Sequence, residues 1–211
     1  MKRMIILALS LAIVFGFSTL AGATLIDNLD GTVTEIRDDP TYGDNSTLMW
    51  LKNANTAGST ITWDEANTWI ASLNSANHLG YNDWSLPSSY NQDGSGPDSG
   101  YDVTGSEMGY MYYVELGNTA GTGGFTNQGL FSNLGSDITH IYWSGTEYAP
   151  DTDYAWRFGF SIGYQHELLK NQPHYAWAVR HVDAPIPEPA TMLLLGCGLL
   201  GLWEARRKLR K

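Results

Sequence analysis

The stretch that decides the fold class is Thr62-Trp63-Asp64-Glu65-Ala66, with its continuation to Leu73. Thr62 followed three residues later by Glu65 is a capping box, the local signature of a helix start. Trp63, Ala66, Ile70 and Leu73 recur at helical spacing and make one apolar stripe. Gly80 lies beyond the end of this helix, and Trp84-Ser85-Leu86-Pro87 leads away from it. A second helix is predicted from Glu107 to Leu116, stopped by Gly117.

On both sides of these helices the pattern is that of strands. Asn28-Leu29-Asp30-Gly31 separates Leu25-Ile26-Asp27 from Thr32-Val33-Thr34-Glu35-Ile36, and Asp-Gly between short β-rich runs predicts a hairpin. Thr47 to Lys52 is a further strand, and Ile141 to Tyr148 another. From Tyr154 to Phe160 the large apolar residues take every second position, the mark of a half-buried strand. Tyr175 to Arg180 is apolar on both faces, which predicts a central strand. Residues 88–106 and 117–129 are Gly-rich and polar and read as long loops. The expectation is an α+β single domain of antiparallel strands, two helices and long Gly/Asp-rich loops, with no repeat period.

Both ends read as signals rather than as fold. Met1-Lys2-Arg3, an apolar run to Phe17 and a small-x-small end at Ala21 and Ala23 are the parts of a secretory signal peptide, residues 1–23. At the other end, residues 187–211 hold Pro187-Glu188-Pro189, an apolar segment from Ala190 to Trp203 and a basic tail of Arg206, Arg207, Lys208, Arg210 and Lys211. Fourteen helical residues cover about 21 Å, short of a hydrocarbon core of about 30 Å. The positive charges beyond them would stay on the cytoplasmic side. The segment reads as a temporary stop that parks the body of the protein outside the inner membrane.

The domain between, residues 24–186, is long enough to bury a core. It carries five basic and 20 acidic residues, a formal charge of −15. Such a surface disfavours nucleic acid and anionic lipid headgroups. The sole cysteine, Cys197, lies in the C-terminal apolar segment, so the exported domain has no disulfide, no thiolate metal site and no cysteine nucleophile.

The catalytic motifs fail one by one. His166-Glu167-Leu168-Leu169-Lys170 begins like a zinc-protease helix but has Lys where the second histidine belongs. There is no serine-hydrolase elbow, no P-loop and no dinucleotide fingerprint. A glycosidase needs two carboxylates at a set separation, and the sequence singles out no pair. Asp93, Asp98 and Asp102 lie in Gly-rich chain that can curl, which makes them candidate calcium ligands, against a solvated loop as the simpler reading. Eight Trp and 12 Tyr offer faces for sugar rings. Trp143 and Tyr148 flank the polar Ser144-Gly145-Thr146-Glu147, so Trp143, Glu147 and Tyr148 are the candidate binding edge.

Two resemblances follow from these residues. Pro187-Glu188-Pro189, the apolar stretch and the Arg-rich end together resemble the PEP-CTERM sorting signal. This implies removal of the tail by an exosortase and company with exopolysaccharide in Gram-negative bacteria. Asp30-Gly31-Thr32-Val33-Thr34, Leu48-Met49-Trp50-Leu51, Trp63 with Ala66, and Asp83-Trp84-Ser85-Leu86-Pro87 resemble the Lcl C-terminal domain family. Tyr142-Trp143-Ser144, Ala155-Trp156, Lys170 and Ala178-Val179-Arg180 continue the match in order. That resemblance implies a C-type-lectin-like fold, akin to the formylglycine-generating-enzyme group. Its named member binds sulfated polysaccharides, an ability that needs positive charge, so the ligand is not carried over to a surface at −15.

The resulting expectation is an exported, non-enzymatic surface or matrix protein associated with exopolysaccharide, with calcium as the candidate ion and an exosortase as the processing partner. A purely structural matrix protein and a polysaccharide-active enzyme are the alternatives. If both ends are signals, intact-mass measurement of the extracellular form gives a start near Thr24 and an end near Pro187. Peptides spanning Ala190 to Lys211 in that form would instead indicate a retained anchor.

Overall fold

The computed structural model describes residues 24–135 and 140–182. The leader with Ala21 and Ala23 and the tail with Pro187, Glu188 and Pro189 lie outside the described residues. The chain forms β1 (Thr24–Asp27), β2 (Thr32–Ile36), β3 (Thr47–Leu51) and α1 (Trp63–Ser75). After these come α2 (Glu107–Tyr110), β4 (Ile141–Glu147), β5 (Tyr154–Gly159), β6 (Tyr164–Leu169) and β7 (Val179–Val182). A single 3₁₀ turn, His78–Gly80, follows α1, and α2 runs on into a π-helical turn, Met111–Glu115. The strands make two sheets, β1-β2-β3-β7 and β4-β5-β6, with every neighbouring pair antiparallel. The fold is therefore mixed α+β in one small domain. Among the described residues no helix is long and apolar enough to cross a membrane.

Local chemistry explains the elements. The β1–β2 turn closes because the Asp30 carboxylate accepts from the Thr32 backbone N–H at 2.9 Å and from its hydroxyl at 2.6 Å. Gly31 takes φ of +95°, a conformation a side chain would strain. The capping box of α1 is formed, with the Thr62 N–H donating to Glu65 Oε2 at 2.8 Å. Ala66, Ile70 and Leu73 are the buried stripe of that helix. The Trp63 indole N–H reaches the Ser144 carbonyl at 2.8 Å and pins α1 to β4.

Aromatic rings fill the space between the sheets. Trp177 packs on Trp50 at 4.4 Å between centroids, on Phe131 at 4.8 Å and on Phe160 at 5.8 Å. The Trp177 N–H donates to the Leu51 carbonyl at 2.7 Å. One predicted strand comes out differently, and one strand was not predicted at all. The last ladder begins at Val179, not Tyr175. Residues 175–178 instead cross from one sheet to the other, the Tyr175 N–H bonding the Ile141 carbonyl and the Ala178 carbonyl accepting from Leu51. A bridging segment is buried on both sides, which is why it looks like a central strand in sequence. Strand β6 is the reverse case. Gln165 in it is fully buried, its amide donating to the Asp98 carbonyl at 2.8 Å, and a polar inward residue hides the alternation.

A buried ionic group joins the first sheet to α2. The Arg37 Nε donates to Glu35 Oε1 at 2.9 Å, one Nη to Asp44 Oδ2 at 3.0 Å and the other to the Glu107 carbonyl at 2.9 Å. The guanidinium lies 4.5 Å from the Tyr110 ring centre. Glu35 also accepts from the Trp50 indole at 2.5 Å. Burial pushes the Glu35 carboxyl up, while Arg37 and the Trp50 N–H work against that rise. His181 Nε2 sits 2.9 Å from Glu107 Oε1, and this bond raises the imidazole pKa. Glu115 is the member with no such partner. Its Oε1 is buried without a hydrogen-bond partner, and burial, with Glu35 nearby, pushes its pKa up to about 8.

The sign of the consequence follows from linkage. A carboxyl held protonated by the fold contributes stability that is complete below its ordinary value of 4.5 and is lost as pH rises toward about 8. Glu115→Gln keeps the neutral shape and removes the titration. In thermal melts across this window the natural chain should lose stability relative to Glu115→Gln as pH rises. Parallel melting curves for the two would place Glu115 in water.

Candidate functional site

The second sheet is irregular where it meets α1, and a cleft forms there. The β4–β5 register shifts between Trp143 and Glu147. At the bulge Gly145 brings its backbone against the 84–90 segment, its N–H donating to the Pro87 carbonyl at 2.9 Å. A Cβ at Gly145 would meet the Leu86 carbonyl oxygen at 3.2 Å, so the close approach uses the missing side chain. The Thr146 hydroxyl accepts from the Ser89 N–H at 3.0 Å and fixes the chain just before Tyr90.

The cleft encloses about 640 Å³ between Asn67 and Ile70 of α1, the 84–90 segment, and Gly145 to Ala149. A smaller hollow of about 210 Å³ shares Tyr90, Glu147 and Ala149 with it and runs on to Tyr148, Pro150 and Trp156. Tyr90 stands where the two meet, its side chain 47% exposed. Tyr148 packs on Trp156 at 5.7 Å, edge to face. The result is an open groove with an aromatic edge, lined by the buried apolar side chains of Ile70, Trp84 and Leu86 and by the short polar ones of Asn67, Ser88 and Thr146. One carboxylate lines it, Glu147, which pairs with Lys170. Lys170 in turn lies 4.2 Å over the Trp63 ring.

The sequence suggested three residues as a candidate binding edge, and the structure places two of them along this groove. Glu147 and Tyr148 line the groove, but Trp143 does not. It is fully buried, its indole N–H donating to the Ile61 carbonyl at 2.9 Å and its ring against His174 at 5.0 Å. The reason is the pleat. Trp143 pairs with Arg157 and faces the segments carrying Ile61 and His174, which cover that side of the sheet. Burial pushes His174 down to about 4, with Arg157 and His166 adding to the effect. Tyr90, Asn67 and Trp156, which also line the two hollows, were not singled out from the sequence. The available signal for Tyr90 was an aromatic in a polar loop with no periodic apolar partner.

The three candidate calcium ligands are not brought together. Asp93 accepts from the Ser95 N–H at 2.8 Å, which with the Ser95 hydroxyl holds its pKa below the usual range. Asp98 accepts from the Asn91 amide at 2.6 Å, and the Asp102 backbone N–H donates to the Tyr113 hydroxyl at 3.0 Å. The loop uses these groups on itself. Asn91 is wedged between Gly96 and Gly105, where a Cβ would come within 2.7 Å and 2.4 Å of its amide. Among the described residues no three His, Cys, Asp or Glu side chains are gathered so as to hold a metal ion.

Residues 185–208 match the family described as the PEP-CTERM protein-sorting motif. The match takes in Pro187, Glu188, Pro189 and the apolar segment, and marks the chain as an exported protein that an exosortase processes. No curated protein matches the chain.

The placement of Trp143 and Tyr90 separates fold from surface. Trp143→Ala should lower the unfolding free energy by about 3–5 kcal/mol. Tyr90→Ala should change it by no more than about 0.5 kcal/mol. Urea titration of both variants measures this, and an unperturbed Trp143→Ala would return that residue to the binding edge.

Proposed function

We propose that this is a non-enzymatic protein of the cell surface or extracellular matrix of a Gram-negative bacterium, which binds exopolysaccharide along the Tyr90 groove. The observation that carries the reading is the groove's construction. Exposed and half-exposed aromatic side chains, Tyr90 and Tyr148, edge a lining that mixes apolar Ile70, Trp84 and Leu86 with polar Asn67, Ser88 and Thr146, the combination that packs on and hydrogen-bonds a sugar ring. The sorting motif supports it by sending the domain to where polysaccharide is abundant. The resemblance to the Lcl C-terminal domain, with its C-type-lectin-like fold, points the same way. The groove supplies one carboxylate, and that one is paired to Lys170, whereas glycoside hydrolysis takes two.

At −15 the domain repels an anionic polymer, so a neutral chain binds directly and an acidic one through divalent cations shared between the two sets of carboxylates. Calcium enters as that bridge, at exposed residues such as Asp93, Asp98 and Asp102. Retention of the processed protein on the producing organism's own polysaccharide tests the reading. Tyr90→Ala should weaken retention about fivefold, the equivalent of one stacking contact of about 1 kcal/mol. Retention of an acidic polymer should fall when chelator replaces calcium. No retention on any polymer would leave a structural matrix component, and accumulating reducing ends would make the protein an enzyme.

A further inference from the structure

The side of the first sheet away from Trp50 and Glu35 is unlike the rest of this acidic surface. Thr24, Ile36, Thr47 and Val182 form one cross-strand row on it, and Ile26, Thr34, Met49 and Arg180 form the next. No carboxylate belongs to either row. The one charge, Arg180, is met by Asp83 at 2.6 and 2.8 Å and lies 4.3 Å from the Tyr81 ring centre. Toward the β1 edge the face is open. Ile26 is 44% exposed, Ile36 43%, Leu79 43% and Leu29, in the β1–β2 turn, 88%. Leu79 lies against the same turn, within 3.3 Å of where a Gly31 Cβ would stand.

The chain leaves this face at Val182. Seven residues separate Val182 from the apolar run that starts at Ala190, and three of them are proline. At about 3.1–3.4 Å per residue they reach no more than about 25 Å. The row from Val182 to Thr24 spans three strand spacings, about 14 Å. With the tail in a bilayer, the open aliphatic patch is therefore held within reach of the same bilayer. The two strand rows of this side carry no carboxylate, so a domain at −15 can rest there with little repulsion from the lipid surface.

We propose that the tail-inserted form docks on the lipid surface through this face, with Ile26, Leu29, Ile36 and Leu79 at the headgroup–acyl boundary. The proposal rests on the sorting reading, because the tether supplies the effective concentration that four side chains alone do not. Removing the tail then removes the tether, and the domain leaves the membrane without any change in its fold.

The test uses the full chain in phosphatidylcholine nanodiscs loaded with one chain each. Its only cysteine, Cys197, lies in the apolar segment and takes an environment-sensitive fluorophore directly. Cys197→Ser then allows a probe at Ile36→Cys, or at Thr152→Cys in the β4–β5 turn of the other sheet. Lipid-borne quenchers should quench the probes at 197 and 36 and spare the one at 152. Ile26→Glu should abolish quenching at 36 while circular dichroism stays unchanged. Quenching at 197 with none at 36 would overturn the docking alone. No quenching at 197 would overturn the sorting reading and the docking with it. Shielding of 36 that needs two chains per disc would assign the face to a second copy and equally overturn the proposal.

Discussion

One guanidinium holds three parts of this domain in register. Arg37 is buried at the end of β2, and its donors go to a strand carboxylate, a loop carboxylate and a helix carbonyl. Taking such a charge out of water costs several kcal/mol, and only complete pairing offsets it. Losing one partner of a buried pair costs about 3–5 kcal/mol, a large part of the 5–15 kcal/mol a domain commands. The positions of residues 38–46, of α2 and of the first sheet are therefore not independent. Glu107 extends the coupling, since its carboxylate also accepts from the Ser88 N–H at 2.8 Å, two residues before Tyr90. The aromatic at the groove is positioned by a chain of contacts that begins in the opposite sheet.

Much of this was legible where chemistry is local. Thr62 and Glu65 announced α1, Asp30-Gly31 announced the first hairpin, and both hold because a few adjacent atoms suffice to make them. Long-range constraint was legible only in part. Arg37 comes just after the predicted strand ending at Ile36, and nothing in its neighbours reveals a partner at Glu107, 70 residues on. Trp143 beside polar residues looked like an edge, but which face of a strand is covered depends on segments 61 and 174, far off in sequence. Glu147 and Tyr148 drew notice as a polar segment ending in an aromatic, and they lie along the groove. Tyr90 depends on packing of the 84–90 segment against the irregular part of β4, which no period encodes.

The groove and the loop beneath it show how small residues are used here. Gly145 lets two backbones touch, and Gly96 and Gly105 close on the Asn91 amide. In each case the absent side chain shortens a distance rather than freeing a dihedral. The long Gly-rich segment is thus tied down through Asn91, Gln165 and Tyr113. Asp93 and Asp98 accept bonds from within the segment and still stay exposed to water.

The two ends of the described chain lie in one row, Thr24, Ile36, Thr47, Val182. Neither end threads the core, and each belongs to an edge strand of the same sheet. Sequence joined at either end is therefore added outside the cooperative unit, as in domains that accept insertion into other chains. A homologous body behind a different leader, or ahead of a different anchor, would fold by the same contacts and differ only in where it is delivered.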